Sequence, residues 1–260
     1  MSGQPGHEHT RFITPKWAAP KQVRAIFTTR HGGCSREPYD SLNLGSHVGD
    51  ITENVEQNRT RLRQTLALAE APAWLEQIHG HRVLDLDASA AEDRQADAAF
   101  TRSLNRACAV LVADCIPLLL CDEGGTQVAA VHAGWRGLAT GIIAAAVSSF
   151  DAQASALHAW IGPHISAGKY EVGDEFVTQL EADFPHISDF VVSDLQPAHL
   201  DLGAWCAVQL QDCGVHNIGR SANCVYTEKD RFFSYRRSGD TGRMAALIWI
   251  TSDTASNTTG

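Results

Sequence analysis

Three separated stretches each place a soft metal ligand at the edge of an apolar run. "LEQIHGHRV" carries His79, "VADCIPLLLCD" carries Cys115 and "AAVHAGWRG" carries His132. Two imidazoles and a thiolate suit Zn²⁺, and three protein ligands leave open the fourth position that a catalytic zinc requires. The spacing is unlike that of a zinc finger, whose ligands pair at short intervals. From the residues alone two readings stand: scattered residues beside a core, or three segments meeting at one point.

The neighbours of these residues add detail. In "VADCIPLLL", Pro117 cannot donate to a β-ladder, which predicts a strand broken or bulged just after Cys115. Asp114 is a charge where a buried strand prefers none, and it either caps a turn or supports a ligand. In "VHAGWRG" the strand is predicted to end at His132, with Gly134 and Gly137 turning the backbone into a helix. The unpaired amides of a helix start, together with Arg136, form an anion site; glycines placed for close packing are the alternative. His81 shares the face of His79 if that segment stays extended.

The elements that must position these residues alternate irregularly. "VRAIFTT" (23–29) reads as a strand closed by turn residues. From Asp50 to Leu68 apolar residues recur at helical spacing, with Asp50 or Thr52 available as cap. "VLDLD", "CAVLVAD", "PLLLC" and "QVAAVH" read as successive strands, and "LATGIIAAAVSSF" as one helix. "LHAWIG" and "MAALIWI" are further strands, and helices are expected near 173–183 and 203–212. The expectation is an α+β fold, with mixed β-sheets in a layered core flanked by helices. No repeat or linker divides the chain, so 1–260 is read as a single domain, with a core of about 11–251 and frayed tails at 1–10 and 252–260.

Composition narrows the partners. Thirty Asp and Glu against 21 Lys and Arg give a net charge of −9, which argues against nucleic acid and anionic membranes but not against a locally basic pocket. The longest apolar runs are too short to cross a bilayer, and no signal-type segment follows the polar start, so a cytoplasmic protein is expected. The seven cysteines include no CxxC pair; most read as small buried hydrophobes rather than disulfides.

A resemblance then joins the motifs. "FTTRHGGCSREPYDSLNLGSHVGD", "NR" at 58–59, "WLEQIHG", "ADCIPLLL", "VHAGWRG", "IGPHI" and "FFSYRRSGDTGRMAALIWI" resemble the YfiH family over about residues 23–250. That family is also called the purine nucleoside phosphorylase or laccase-domain polyphenol oxidase family, and it includes the peptidoglycan editing factor PgeF. The resemblance implies one zinc per chain on His79, Cys115 and His132. It also implies phosphorolysis of adenosine, inosine, guanosine and S-methyl-5'-thioadenosine, with adenosine deamination as a second activity. Within that reading Asn43, Arg59, Gln77, Gly134 and Arg136 are assigned to substrate and phosphate, and Asp114 or Glu171 to proton transfer. Cys34 and His81 depart from the family's pattern and receive no role.

Other chemistries use the same residues. Cys115 and His132 could be the nucleophile and base of a cysteine hydrolase, as in a toxin deamidase domain of comparable fold. The editing-factor name implies removal of misplaced serine from a UDP-MurNAc cell-wall precursor by amide hydrolysis. A laccase needs several copper ions on clustered histidines, and the only internal HxH pair is His79–Gly80–His81, so copper is not expected. A non-enzymatic zinc-binding partner protein would need a closed, four-coordinate site, and only three ligands are in view.

Overall fold

The computed structural model describes residues 11–88, 93–192 and 194–252. The tails expected to fray lie outside these residues, except for Ser252. In chain order the elements begin with β1 (Phe12–Ile13), β2 (Val23–Thr28), α1 (Thr52–Thr65), β3 (Val83–Asp85) and β4 (Ala98–Thr101). Then come β5 (Cys108–Val112), β6 (Ile116–Asp122), β7 (Val128–Ala133), α2 (Trp135–Thr140), α3 (Ile142–Ser148) and β8 (Leu157–Ile161). The C-terminal part holds α4 (Asp174–Asp183), β9 (Val191–Val192), β10 (His199–Leu200), α5 (Leu202–Asp212), β11 (Asn217–Arg220), α6 (Tyr235–Ser238) and β12 (Met244–Ile250).

Two sheets carry the architecture. One has the order β1-β2-β12-β5 and the other β11-β8-β6-β7-β4-β3; β9 and β10 form a small antiparallel pair. The second sheet is mixed, with β11–β8 and β3–β4 parallel and the central pairs antiparallel.

Side-chain alternation explains the layering. Along β12, Ala245, Leu247 and Trp249 join an outer cluster with Leu62 and Leu66 of the α1 region. Met244, Ala246, Ile248 and Ile250 point the other way, into the core shared with the six-stranded sheet. The far side of that sheet is covered by Leu138, Ile142 and Ala146 and by Trp205 and Leu210. The molecule is thus helix, sheet, sheet and helix in section, which is why β5, β6, β7 and β12 are buried along their whole lengths. This is the α+β fold with layered mixed sheets that the sequence predicts.

Local details differ from expectation for identifiable reasons. The helix after "GWRG" is two helices, because Gly141 takes a left-handed conformation (φ 91°) that ends α2 and starts α3. The first helix is preceded by Ile51 with no side-chain cap. Asp50 instead receives Ser35 Oγ at 2.6 Å and Asn43 Nδ2 at 2.9 Å. Strand β4 was not expected: "AAFT" has little β-branched content, and its partners β3 and β7 are both supplied by tertiary pairing.

Candidate active site

Cys115 sits where the chain leaves one sheet for the other. Between β5 and β6 run Ala113, Asp114 and Cys115, and Asp114 has φ of 111°. That uncommon backbone is held from outside: Ser234 Oγ donates to Asp114 Oδ1 at 2.6 Å, and the Arg236 amide donates to Oδ2 at 2.7 Å. The break therefore lies before Cys115, not after it. Pro117 is the second residue of β6, opposite His132. On the β8 side the ladder ends at Leu118–Ile161, and only the Pro117 carbonyl is called on, by the Gly162 amide at 2.9 Å. A missing N–H costs nothing there.

His132 lies in β7, which ends one residue later at Ala133, and the side chain is buried. Its Nδ1 is 2.8 Å from Asp97 Oδ1. His79 is in the loop before β3, exposed, with φ of 60°. The ligand atoms of His79, Cys115 and His132 all lie within 4.8 Å of one another. The two imidazoles meet edge to face, with centroids 4.8 Å apart. Gly134 completes the floor: a Cβ there would stand 3.0 Å from Cys115 Sγ and 3.5 Å from His79 Cδ2.

The thiol's environment sets it apart from the other cysteines. Burial pushes Cys115 up, but the His132 charge and hydrogen bonds to His132 and His79 outweigh it and bring the thiol down to about 6. Burial lowers His132, yet the Cys115 charge and the Asp97 hydrogen bond carry it up to about 9. Cys121 and Cys206, without such neighbours, are pushed by burial to about 12. Cys224 is lowered as well, where hydrogen bonds with Ser166 and Thr227 outweigh burial. Cys115 alone among the described cysteines has imidazoles to bring it down, and its thiolate is the state needed of a metal ligand or a nucleophile. With His132 held at Nδ1, Nε2 is the ring nitrogen left for the cluster. The donor set fits a soft or borderline divalent metal.

The three donors open into a cavity of about 450 Å³. The same cavity is lined by Arg136, Arg236, Arg243 and His47. Arg136 lies over the Trp135 ring at 4.4 Å, and Trp135 meets Phe176 edge to face at 4.9 Å. Arg236 stacks on Tyr170 at 4.8 Å and donates to the Glu171 carbonyl. Arg243 donates to the carbonyls of Thr241 and Gly242. His47 is lowered by burial and by the charges of Arg243 and Arg59. Such a pocket favours anions.

Gly134, Arg136 and Asp114 line this cavity. Three other residues assigned to substrate are not among the lining residues, and each is committed elsewhere. Asn43 is fully buried: Nδ2 donates to Gly45 O and Asp50, and Oδ1 accepts from the Gly45 and Arg243 amides. Gln77 pairs with both backbone groups of Leu111, at 2.8 and 2.7 Å. Arg59 donates twice to Leu44 O and stacks on Trp74 at 4.5 Å. Glu171 offers its carbonyl to Arg236 and is not a lining residue. His81 is outside the donor group, because the left-handed His79 ends the extended run that would have aligned the two. Cys34 packs its sulfur against Asn54 and Asn58.

Sequence reasoning missed Asp97, His47, Arg236 and Arg243. Asp97 announces itself only as a charge just before the apolar "AAF". The two arginines lie in "SYRRSGDTGRM", where no periodicity says they reach a site built more than 100 residues earlier.

Comparison with known proteins follows this geometry. The family model described as multi-copper polyphenol oxidoreductase laccase matches residues 24–251. The chain is 42% identical over 241 residues to the Escherichia coli protein named purine nucleoside phosphorylase YfiH, covering 93% of this chain and 99% of that one. A Pseudomonas aeruginosa protein named purine nucleoside phosphorylase is 41% identical over 241 residues, covering 92% and 98%. The crystal structure of a Neisseria meningitidis protein assigned to DUF152 superposes with a TM-score of 0.87 at 40% identity, covering 94% of this chain and all of that one (100%).

Proposed function

The chain belongs to the laccase-domain YfiH family, and from that premise we propose that it is a zinc-dependent purine nucleoside phosphorylase. Its substrates in this reading are adenosine, inosine, guanosine and S-methyl-5'-thioadenosine, with adenosine deamination as a second activity. One observation carries the proposal: the His79–Cys115–His132 donor set and the wall of Arg136, Arg236 and Arg243 face the same cavity. The names of the relatives supply the reaction class.

Zinc held by His79, Cys115 and His132 would supply a Lewis acid with an open position. The chain's own groups do the rest. The three arginines bind inorganic phosphate, hold it in line with the anomeric carbon and stabilise its charge. The Arg236 position depends on Asp114, which fixes its amide. Deamination needs a proton carrier, and Asp114 is the one carboxylate among the described lining residues. Multi-copper chemistry does not match the one donor cluster found among the described residues, two imidazoles and a thiolate.

The proposal extends to setting. The core shared by both sheets supports one domain over about 11–251. Among the described residues no helix is long and apolar enough to cross a membrane; the reading places the enzyme in the cytoplasm, acting on small molecules rather than on nucleic acid or membrane. The decisive experiment is metal analysis of the purified protein coupled to inosine cleavage with and without phosphate. Release of ribose 1-phosphate only when phosphate is present supports the assignment. Phosphate-independent release of free ribose refutes it.

A second reading has its own observation. Cys115, His132 and Asp97 stand as nucleophile, base and orienting carboxylate, with the thiol lowered and Asp97 at 2.8 Å from Nδ1. That arrangement suits a Cys–His hydrolase, including amide cleavage in a serine-bearing UDP-MurNAc precursor. Alkylation separates the two. A zinc-bound thiolate reacts slowly until the metal is chelated, whereas a free nucleophile reacts at once.

A further inference from the structure

We infer that Asp97 is a positioning residue that sets both histidine donors of the site at once. The inference rests on the reading of His79, Cys115 and His132 as a metal site. Asp97 immediately precedes β4 and is completely buried. Its Oδ1 is 2.8 Å from His132 Nδ1 and accepts the His79 amide at 2.9 Å. Its Oδ2 accepts the Gly80 amide at 2.7 Å and the Ile78 amide at 3.3 Å. The backbone takes part as well: the His132 amide donates to the Asp97 carbonyl at 2.7 Å, and the Asp97 amide to Arg82 O at 3.1 Å. One residue therefore ties the strand bearing one histidine to the loop bearing the other.

The two halves of this contact act differently. At His132 the carboxylate fixes the ring's rotation and places the proton on Nδ1, so that Nε2 faces the cluster. At His79 it acts on the backbone. Three consecutive amides converge on one carboxylate, an anion nest made by the protein for itself. The middle residue is held left-handed, a conformation a side-chain-bearing residue adopts only when its surroundings impose it. The only ion pair found for Asp97 among the described residues is with His132. A buried carboxylate with no Lys or Arg partner is a costly way to stabilise a core. It is an economical way to orient two ligands.

The test compares the whole chain with its Asp97→Asn variant. The asparagine keeps the size but offers one acceptor oxygen in place of two, and its NH₂ confronts donors. Zinc affinity is measured on the metal-free proteins by competition with a chromogenic chelator, and Co²⁺-loaded samples are compared by absorption. The expected result is a ten- to hundred-fold loss of zinc affinity, with cobalt bands shifted but thiolate charge transfer retained. Far-UV circular dichroism should be unchanged. Zinc affinity within about two-fold of the unaltered protein, with unchanged cobalt bands, overturns the inference alone. An unaltered protein that binds no zinc overturns the metal reading and this inference with it. Should Asp97→Asn fail to fold, ¹⁵N-histidine NMR of the zinc-loaded unaltered protein decides. A single His132 proton on Nδ1 supports the role; a proton on Nε2 with Nδ1 bare excludes it.

Discussion

The two groups of residues that line the cavity, donors and cations, are held by different means. Among the donors, His132 is inside a strand, Cys115 at the junction of two sheets, and His79 in a loop fastened to a buried carboxylate. Strand register places His132, and hydrogen bonds to Asp97 and Asp114 hold the connections that carry His79 and Cys115, so the three converge before any ligand arrives. Among the cations, Arg236 lies in the short helix α6 and Arg243 in the segment between α6 and β12, both anchored on carbonyls and aromatic faces. Arg136 sits on Trp135. None of the three forms an ion pair with a carboxylate among the described residues. The difference is one of purpose: donors must be exact in place, whereas arginines must keep their charge available to an incoming anion.

The sharpest way to break that comparison is to remove the donor on which the pairwise geometry depends. Cys115→Ala deletes the thiolate and leaves only the two imidazoles of the donor set. Metal content by plasma emission should fall to background, and nucleoside cleavage should drop at least a thousand-fold, the scale at which a catalytic metal contributes. The fold should persist, because Cys115 belongs to neither sheet. A variant that keeps full zinc occupancy removes Cys115 from the ligand set.

For the cations the expected effect is smaller and more selective. Arg136→Lys keeps the charge but loses the planar fork and the guanidinium stack on Trp135. Loss of a charge-assisted pair is worth about 1.5–3 kcal/mol, so the phosphate KM should rise about ten- to a hundred-fold. Deamination, which uses water, should change far less. A phosphate KM within about two-fold of the original would make Arg136 an ordinary surface cation.

Between these lies the floor. Gly134→Ala places a methyl 3.0 Å from Cys115 Sγ, and the sulfur must yield by a few tenths of an ångström. A cost of about 1 kcal/mol, roughly five-fold in zinc affinity by chelator competition, is expected. The arginine wall should be left intact, so phosphate binding at saturating zinc serves as the internal control.

What the sequence showed follows the same division. The donors stood out as candidates because each lies at the edge of an apolar run, and it was the resemblance to the YfiH family that joined them into one set. Asp97 did not stand out, because β4 is short and alanine-rich and exists through its pairing with β3 and β7. Arg236 and Arg243 stood in a motif that was recognised, yet no local pattern encodes a reach across the fold. The layered α+β core was legible from four uniformly apolar strands. The break at Gly141 was not, since glycine within a helical pattern only lowers the odds of a helix continuing.

Gln77 was expected to bind substrate, and in the structure its side chain is taken up by the backbone of Leu111. Strand β5 is the edge of its four-stranded sheet, and an edge strand exposes unpaired backbone groups. Gln77 answers both groups of Leu111: Nε2 donates to its carbonyl at 2.8 Å, and Oε1 accepts from its amide at 2.7 Å. The side-chain amide thus imitates one rung of a missing neighbour strand, two residues before His79. Gln77→Ala removes the rung and leaves both groups to find water at a partly covered edge. The loss should be about 1–2 kcal/mol, read as a lower midpoint in urea unfolding. KM for phosphate and nucleoside should stay within about two-fold, since Gln77 holds the backbone of Leu111 and is not itself a lining residue. A ten-fold rise in nucleoside KM with unchanged stability would return Gln77 to the substrate site.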